Sequence, residues 1–232
     1  MPDASRTPDA DRPYLVFSDV DETLITVKSM FDFLRYQLVR RQGAAGEEEY
    51  ERIMTVVHRR VADGTPRADI NRFYYGHYSG ESVETVGRLA EDWFAERTAS
   101  GRGFYIESTR EALTAHRARG AAVVLVSGSF PPLLEPIARE VGADAVLCTR
   151  PLVADGRYTG EVGTPVIGAG RRAAVLGKLE SRPDVDPHDC WAYGDHVSDL
   201  AMLELVGHPV AVGEDEELRR RLAERVGRPV RS

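Results

Sequence analysis

The sequence predicts an α/β protein, namely a doubly wound parallel sheet with a helical cap inserted after the first strand. Apolar runs typical of buried strands alternate with helical patterns over most of the chain. The exception lies between Val27 and Ala99, where apolar residues recur at helical spacing and nothing alternates like a strand. A chain of 232 residues is long enough for one core domain with such an insertion.

The first predicted strand ends in two carboxylates. Residues 14–17 form an apolar run, and Asp19 and Asp21 follow with one residue between them. Burying two carboxylates costs free energy unless a metal or a proton compensates them. Ligands of open α/β sheets bind at the carboxyl ends of strands. The pattern D-x-D-x-T therefore indicates a nucleophile and an acid at a phosphate site, although capping a helix or lining a turn is the alternative.

The other strands and helices are predicted from hydrophobic patterns and turn residues. Residues 122–126 are a β-branched run typical of a central parallel strand. Asp155-Gly156 predicts a hairpin that joins residues 152–153 to residues 158–159. Further strands are expected at 145–148, 190–193 and 209–212, and helices at 47–61, 82–97, 107–119, 131–141, 171–180, 198–206 and 215–226, with helical segments at 30–38 and from residue 66.

These elements divide the chain into a core, a cap and a tail. We expect the core to comprise residues 13–27 and 100–232, and the cap to comprise residues 28–99. The polar, proline-containing residues 1–12 are expected to be a disordered tail. They lack the apolar segment of a signal peptide, which favours a cytoplasmic location.

Composition argues against several classes of function. The net charge of −7 provides no general basic surface for nucleic acid. No apolar run reaches the roughly 18 residues of a membrane span, so no membrane partner is expected. Cys148 and Cys190 have no CxxC partner, which predicts buried small hydrophobic residues instead of a zinc or redox site.

Two further strands end in polar groups. Ser127 and Gly128 follow the 122–126 strand, where a hydroxyl and free N–H groups can bind a phosphate oxygen, although a simple N-cap serine would look the same. Asp195 follows the 190–193 strand, and Asp199 lies four residues on, so both acids can face one point. Oxygen ligands of this kind suit Mg²⁺, whereas Asp199 could instead be a solvated acid in a first helical turn.

A cation is needed to balance the carboxylates and the phosphate. Arg171, Arg172 and Lys178 are the candidates. Arg172 lies on the apolar face of the predicted 171–180 helix, whereas Arg171 and Lys178 lie together on a different face. Arg172 is therefore predicted to point toward the sheet edge, with Lys178 as the alternative.

One motif points to a different chemistry. Residues 168–173 match the dinucleotide-binding pattern G-x-G-x-x-A, but the segment before them is short and flanked by proline. No opening βαβ unit surrounds the motif, so a nicotinamide enzyme is not expected. The sequence also has no P-loop pattern, which argues against a nucleotide-driven kinase.

In combination, these stretches resemble the motifs of a known superfamily. Four motifs carry the resemblance, which is to the haloacid dehalogenase superfamily: Asp19-x-Asp21-x-Thr23, Ser127, a basic helix residue, and Gly194-Asp195-x-x-x-Asp199. Over residues 14–212 the chain most resembles the phosphoserine-phosphatase-like branch, which typically carries a helical cap between its first and second motifs. The third motif departs from the family pattern, which usually has Lys where Arg172 is the best-placed residue here.

The resemblance implies a Mg²⁺-dependent phosphomonoesterase with a small-molecule substrate. Asp19 would be the nucleophile that forms an aspartyl-phosphate, and Asp21 the general acid and then the general base. Ser127 and Arg172 would stabilise the charge of the phosphoryl group. The expected Mg²⁺ ligands are the carboxylates of Asp19 and Asp195, the backbone carbonyl of Asp21, and Asp199 either directly or through water.

Substrate contacts are predicted for Thr23, Lys28, Gly128 and Tyr74. Relatives that act on phosphoserine usually carry an acidic residue seven positions beyond the second Asp, where this chain has Lys28. A cation there would repel the substrate ammonium, which favours a neutral or anionic leaving group such as a polyol, sugar or carboxylate. Alternatively, Lys28 is an exposed lysine at a helix start. Tyr74 belongs to an aromatic patch, residues 73–78, that either lines the cavity or packs within the cap.

Other functions fit the same motifs less well. A phosphoserine phosphatase or a phosphotransferase of the same branch is the alternative within the resemblance. A non-enzymatic phosphoacceptor or a binding protein is the alternative in a different class. A phosphoacceptor would have no use for Asp21 as an acid or for a cap of roughly seventy residues. The sequence makes no prediction of oligomeric state.

Overall fold

A five-stranded parallel sheet forms the centre of the computed structural model, which describes residues 13–225. The strands of the chain are β1 (Leu15–Ser18), β2 (Ala122–Ser127), β3 (Ala145–Cys148), β4 (Pro151–Ala154), β5 (Arg157–Val162), β6 (Trp191–Gly194) and β7 (His208–Ala211). The sheet has the order β3-β2-β1-β6-β7. The predicted fold class is thereby confirmed, while the tail predicted at residues 1–12 lies outside the described residues.

Strand β1 lies at the middle of the sheet because all four of its residues tolerate burial on both faces. Each has no exposed surface, as expected for a central parallel strand. Ser18, at its end, is opposite Leu125 of β2 and Tyr193 of β6. All three strands run in the same direction, so their carboxyl ends meet at one edge of the sheet. This register brings the residues that follow β1, β2 and β6 together.

Helices cover the sheet and fill the segment between β1 and β2. They are α1 (Ser29–Gln42), α2 (Ala44–Ala62), α3 (Arg67–Gly76), α4 (Val83–Thr98), α5 (Glu107–Ala118), α6 (Pro131–Val141), α7 (Ala169–Glu180), α8 (Leu200–Leu203) and α9 (Glu216–Arg225). Helices α1–α4 occupy the insertion, and we refer to them as the inserted helices. Within residues 13–225, none of the helices has the length and hydropathy of a membrane span. The division into core and cap at residues 28 and 99 stays a prediction.

The single helix expected at residues 198–206 is wrong. The chain forms a 3-10 turn at Val197–Asp199 and then the one-turn helix α8. The Asp199 carboxylate accepts hydrogen bonds from the backbone N–H groups of Asp195 and His196, each at 3.1 Å. These bonds cap the turn and tighten it, because a carboxylate at this position satisfies free N–H groups that a regular helix leaves unpaired.

The hairpin predicted around Asp155-Gly156 is present. Strands β4 and β5 pair in an antiparallel manner, and Asp155 and Gly156 both have positive φ, at 49° and 72°. Two positive φ angles are what a two-residue hairpin turn of type I′ requires, and Asp-Gly is a preferred pair for it. The hairpin also contacts the segment between α3 and α4, since Gly80 N–H donates to the carbonyl of Tyr158 at 2.8 Å.

Most of the aromatic patch at residues 73–78 packs inside the protein. Tyr75 and Tyr78 are buried against Phe130, with ring centroids 5.4 and 5.3 Å from it. Phe130 directly precedes α6, so these contacts fix the inserted helices to the sheet domain by apolar burial. Cys148 and Cys190 are free and buried, as predicted.

Candidate active site

Three carboxylates meet at the carboxyl edge of the sheet. Asp19 follows β1, Asp195 follows β6, and Asp199 ends the 3-10 turn. One oxygen from each of the three lies within 4.8 Å of the others. Asp19 and Asp199 are almost completely buried, at 5% and 2% exposed. Buried carboxylates at such short separations repel one another strongly unless cations lie between them.

The cation beside these carboxylates is Arg171, and the prediction of Arg172 is corrected. Arg171 Nη2 lies 2.7 Å from Asp19 Oδ1, and its Nη1 pairs with Asp199. The buried stripe of α7 runs through Arg171, Val175 and Leu179, with a spacing of four residues. Arg171 and Arg172 both lie about one turn before Val175 on the helix surface, but only Arg171 belongs to the buried stripe. Arg172 and the alternative, Lys178, are partly exposed on α7.

A hydrogen bond from Thr23 orients the Asp195 carboxylate. The Thr23 hydroxyl donates a 2.8 Å hydrogen bond to Asp195 Oδ1, and the Thr23 residue has no exposed surface. The substrate contact predicted for Thr23 is therefore wrong, because a ligand in the cavity has no access to it. Thr23 lies two residues beyond Asp21, and its hydrogen bond fixes the orientation of the Asp195 carboxylate.

Asp21 lies in an environment that favours its protonated form. Its Oδ1 is buried and has no hydrogen-bond partner among the described residues. Burial raises the pKa of Asp21 to about 6, and hydrogen bonding by Ser29 offsets part of the rise. A carboxyl group with a pKa near neutrality can both give and take a proton at physiological pH. Val20, between the two acids, is fully buried in the core as predicted.

The carboxylate cluster carries an excess of negative charge. Burial raises the pKa of Asp19, and Arg171 opposes the rise. Burial also raises the pKa of Asp195, while the hydrogen bond from Thr23 opposes it. Three carboxylates face one guanidinium, which leaves two negative charges uncompensated when all three acids are ionised. The donor set of carboxylate oxygens and this charge fit a divalent cation of the Mg²⁺ type.

The turn after β2 lies beside the cluster and is held by the inserted helices. Ser127 Oγ accepts a hydrogen bond from Ser129 N–H at 3.0 Å. The Gly128 carbonyl accepts two hydrogen bonds from α3, at 2.9 Å from Asn71 Nδ2 and at 3.1 Å from the Tyr75 hydroxyl. The sequence interpretation missed this role of Asn71 and Tyr75. Their spacing of four residues on an otherwise apolar helix face was the available signal.

The cluster opens into a cavity of about 430 Å³ between the sheet edge and the inserted helices. Ser127, Gly128 and the site acids line it on the sheet side. Lys28, which directly precedes α1, and Tyr74 of α3 also line it, while their contacts with a substrate stay a prediction. Tyr74 is only 1% exposed, and its hydroxyl donates to the Met30 carbonyl at 2.8 Å. Tyr74 therefore offers a ring surface to the cavity and keeps its hydroxyl for the protein.

Comparison with known proteins places the chain in a family. The model of the haloacid dehalogenase-like hydrolase family matches residues 16–204. The chain belongs to this family. The resemblance predicted from the four motifs is confirmed, and the match begins in β1 and ends beyond Asp199.

Two relatives of this haloacid dehalogenase-like hydrolase are named as phosphatases. A probable phosphatase of Mycobacterium tuberculosis is 41% identical over 120 residues, which is 52% of this chain and 41% of that protein. The chain therefore spans about two fifths of the length of that relative. The phosphoserine phosphatase SerB1 of the same organism is 29% identical over 231 residues, covering 96% of this chain and 72% of that protein.

Two solved structures have a similar fold. A protein of unknown function from Bordetella pertussis Tohama I is 26% identical, with a TM-score of 0.79 over 93% of this chain and 96% of that one. A phosphoserine phosphatase solved as a phospho-aspartyl intermediate analogue is 21% identical, with a TM-score of 0.65 over 93% of this chain and 98% of that one. This second likeness concerns the fold alone.

Proposed function

We propose that this hydrolase cleaves small-molecule phosphomonoesters in a Mg²⁺-dependent reaction that passes through an aspartyl-phosphate. The observation that carries the proposal is the arrangement of Asp19 and Asp21. Asp19 is a buried carboxylate held 2.7 Å from a guanidinium. Asp21, two residues on, is a partly exposed acid with a buried Oδ1 atom, and its pKa is raised to about 6. A nucleophile and a proton donor of these kinds are what the two half-reactions of phosphoester hydrolysis need.

In the first half-reaction, an Asp19 carboxylate oxygen attacks phosphorus and forms the aspartyl-phosphate bond. The bond between phosphorus and the ester oxygen breaks, and Asp21 gives its proton to the leaving alkoxide. Arg171 and the turn at Ser127 stabilise the negative charge of the phosphoryl oxygens. The proposed role of Arg171 replaces the one predicted for Arg172.

In the second half-reaction, Asp21 is ionised and acts as a base. It takes a proton from water, whose oxygen attacks phosphorus, so that inorganic phosphate leaves and the Asp19 carboxylate is restored. The buried position of Asp19 keeps bulk water away from the intermediate until this step. If an alcohol took the place of water, the same residues would support phosphotransfer.

Mg²⁺ fits the charge and the donor set of the site. The carboxylates of Asp19 and Asp195 and the backbone carbonyl of Asp21 would hold it, with Asp199 contributing directly or through water. When bound, the ion supplies charge that neutralises the phosphoryl oxygens. Asp199 already pairs with Arg171 through Oδ1 and caps two backbone N–H groups through Oδ2, so its carboxylate is shared among several partners.

Phosphoserine is a poor fit to this site, although a relative carries that name. Lys28 occupies the position from which an acid would hold the substrate ammonium, and it pairs with Glu22 at 3.2 Å. Glu22 is therefore engaged by Lys28 in this structure. We propose a different small-molecule phosphate as the substrate and a cytoplasmic location, with no nucleic-acid or membrane partner.

Turnover of an aryl phosphate tests the proposed activity. p-Nitrophenyl phosphate with Mg²⁺ is expected to release phosphate, and both EDTA and the substitution Asp19→Asn are expected to abolish the release. The Asp19→Asn protein must be checked by mass spectrometry for deamidation back to Asp. Wild-type turnover by an intact Asp19→Asn protein would contradict the mechanism.

A further inference from the structure

The cavity combines a charged side with an apolar side. The charged side carries Asp19 and Asp195 from the strand ends and Arg171 from α7. The opposite side comes mainly from the inserted helices. Six apolar side chains line it, and we call them the apolar wall: Met30, Phe31, Val57, Val61, Ile70 and Ile167. A phosphate bound at the charged side would therefore direct its leaving group toward apolar surface.

Asn71 and Tyr74, which also line the cavity, already donate hydrogen bonds within the protein. Asn71 Nδ2 donates to the Gly128 carbonyl at 2.9 Å. The Tyr74 hydroxyl donates to the Met30 carbonyl at 2.8 Å and lies 2.7 Å from the hydroxyl of Tyr78. The remaining amide atom, Asn71 Oδ1, has no hydrogen-bond partner among the described residues, but it is buried, so a ligand has no access to it. None of these three groups is available to the hydroxyl groups of a substrate.

The two cations of the inserted helices that line the cavity are also engaged. Lys28 pairs with Glu22, and both side chains are about half exposed, at 52% and 47%. Arg67, at the start of α3, lies 2.9 Å from His196 Nδ1 and donates to the Ser198 hydroxyl at 3.1 Å. Both cations are exposed and meet water. Lys28 and Arg67 therefore contribute less binding free energy to a ligand than a buried, unpaired cation would.

We infer that the leaving group of the proposed phosphatase reaction is an apolar alcohol, so that the substrate is an alkyl or aryl phosphomonoester. A polyol or sugar placed against the apolar wall would lose hydrogen bonds to water that the six apolar side chains do not replace, which disfavours it. An alkyl chain there would gain binding by removing apolar surface from water. The cavity volume of about 430 Å³ is in the range of small-molecule sites. This inference rests on the proposed function. Lys28 led us to expect a neutral or anionic leaving group, and the apolar wall restricts that class to apolar alcohols.

Kinetics on a homologous series test the inference. The value of kcat/KM is expected to rise by about two- to fourfold for each methylene from methyl to hexyl phosphate, since each buried methylene contributes to binding. Hexyl phosphate is expected to be a better substrate than glycerol 3-phosphate, glucose 6-phosphate and phosphoserine. A flat series, or a preference for any of these polar esters, would overturn the inference.

Two valines of α2 provide a matched pair of variants. Val61 belongs to the apolar wall and is 59% exposed, whereas Val56 is 38% exposed and does not line the cavity. Because both are exposed, replacement by Asp is compatible with folding. Val61→Asp is expected to lower the ratio of kcat/KM for hexyl over methyl phosphate by about tenfold, and Val56→Asp is expected to preserve it. Equal ratios in the two variants would contradict a role of the apolar wall.

Binding of phosphonates separates a failure of this inference from a failure of the proposed function. Hexylphosphonate resists hydrolysis, and calorimetry is expected to show that it binds more than tenfold tighter than methylphosphonate, whether or not the protein turns over esters. Tighter binding without turnover of p-nitrophenyl phosphate would support the apolar site and contradict the phosphatase activity. Turnover with equal binding of the two phosphonates would support the activity and overturn the apolar leaving group.

Discussion

Arg171 Nη2 lies 2.7 Å from Asp19 Oδ1, in a contact that joins the first turn of α7 to the end of the central strand. Both side chains are at least nine-tenths buried, and the second arm of the guanidinium pairs with Asp199. Arg171 is thus the positive charge that opposes the rise of the Asp19 pKa on burial. The ionised form of Asp19, which the proposed nucleophile needs, depends on this neighbour.

Replacement of Arg171 is expected to impair catalysis far more than replacement of the adjacent arginine. Arg171→Gln is expected to lower kcat/KM for p-nitrophenyl phosphate by about 10²- to 10³-fold, in the range seen when a group that stabilises transition-state charge is removed. Arg172→Gln, whose side chain is partly exposed on the same helix, is expected to stay within about twofold of wild type. A larger loss in Arg172→Gln than in Arg171→Gln would restore the original sequence prediction.

The role of Asp21 as a general acid depends on the leaving group. Asp21→Asn is expected to slow the phosphorylation step on an alkyl phosphate by about 10²- to 10⁴-fold, because an alkoxide leaves poorly without a proton. An aryl oxide leaves more readily, so p-nitrophenyl phosphate is expected to suffer less in the same step. Single-turnover kinetics with rapid quenching measure this step directly. An equal loss on both esters would argue against proton donation by Asp21.

In the absence of metal, Asp21 is also expected to lower the free energy of unfolding of the protein. Its pKa is raised from 3.8 to about 6, so the native state holds the proton more tightly than the unfolded chain. The native state is therefore destabilised as pH rises from about 4 to about 6. At pH 7.5 in EDTA, Asp21→Asn is expected to be more stable than wild type by up to about 3 kcal/mol.

Urea denaturation at several pH values measures this effect. The advantage of Asp21→Asn is expected to shrink as pH falls below about 6 and to vanish below about 4, where Asp21 is protonated in both states. Asp92→Asn, at an exposed position of α4, is the control and is expected to change stability by less than about 0.5 kcal/mol. A stability difference for Asp21→Asn that is independent of pH would mean that Asp21 has an ordinary pKa.

Mg²⁺ is expected to raise the melting temperature through the carboxylate cluster. At about 100 times the dissociation constant, a ligand of the native state adds about 2.7 kcal/mol, which corresponds to about 5–10 °C for a protein of this size. Asp195→Asn is expected to lose most of this increase, and its metal-free form is expected to be at least as stable as wild type because repulsion is relieved. Asp92→Asn is expected to keep the increase. A full Mg²⁺ response in Asp195→Asn would exclude the proposed site.

The sequence predicted the sheet and its polar edge because both depend on local patterns. Residues 122–126 and the acids after β1 and β6 are contiguous motifs, and a parallel register brings strand ends together whatever the details of packing. The hairpin at Asp155-Gly156 was predictable for the same reason, since the two residues suffice to define its turn.

The choice of Arg171, in contrast, depends on tertiary packing. On a helical wheel of α7, Arg171 and Arg172 both lie next to the apolar stripe. The helix alone therefore does not decide which of the two side chains points toward the site. The hydrogen bond from Thr23 to Asp195 and those from Asn71 and Tyr75 to Gly128 join residues far apart in sequence. The spacing of Asn71 and Tyr75 marks a polar pair on an apolar helix face, but the partners of all three side chains are set by tertiary packing.

Trapping the covalent intermediate tests the role of Asp19 most directly. In Asp21→Asn the first half-reaction on an aryl phosphate continues while hydrolysis is slowed, so the intermediate is expected to accumulate. Rapid quenching in acid, followed by proteolysis and mass spectrometry, is expected to find one phosphoryl group on the peptide with residues 13–27 and to place it on Asp19. The Asp19→Asn protein, treated in the same way, is expected to carry none. A phosphoryl group on another residue, or turnover by Asp21→Asn with no phosphorylated peptide, would contradict nucleophilic catalysis by Asp19.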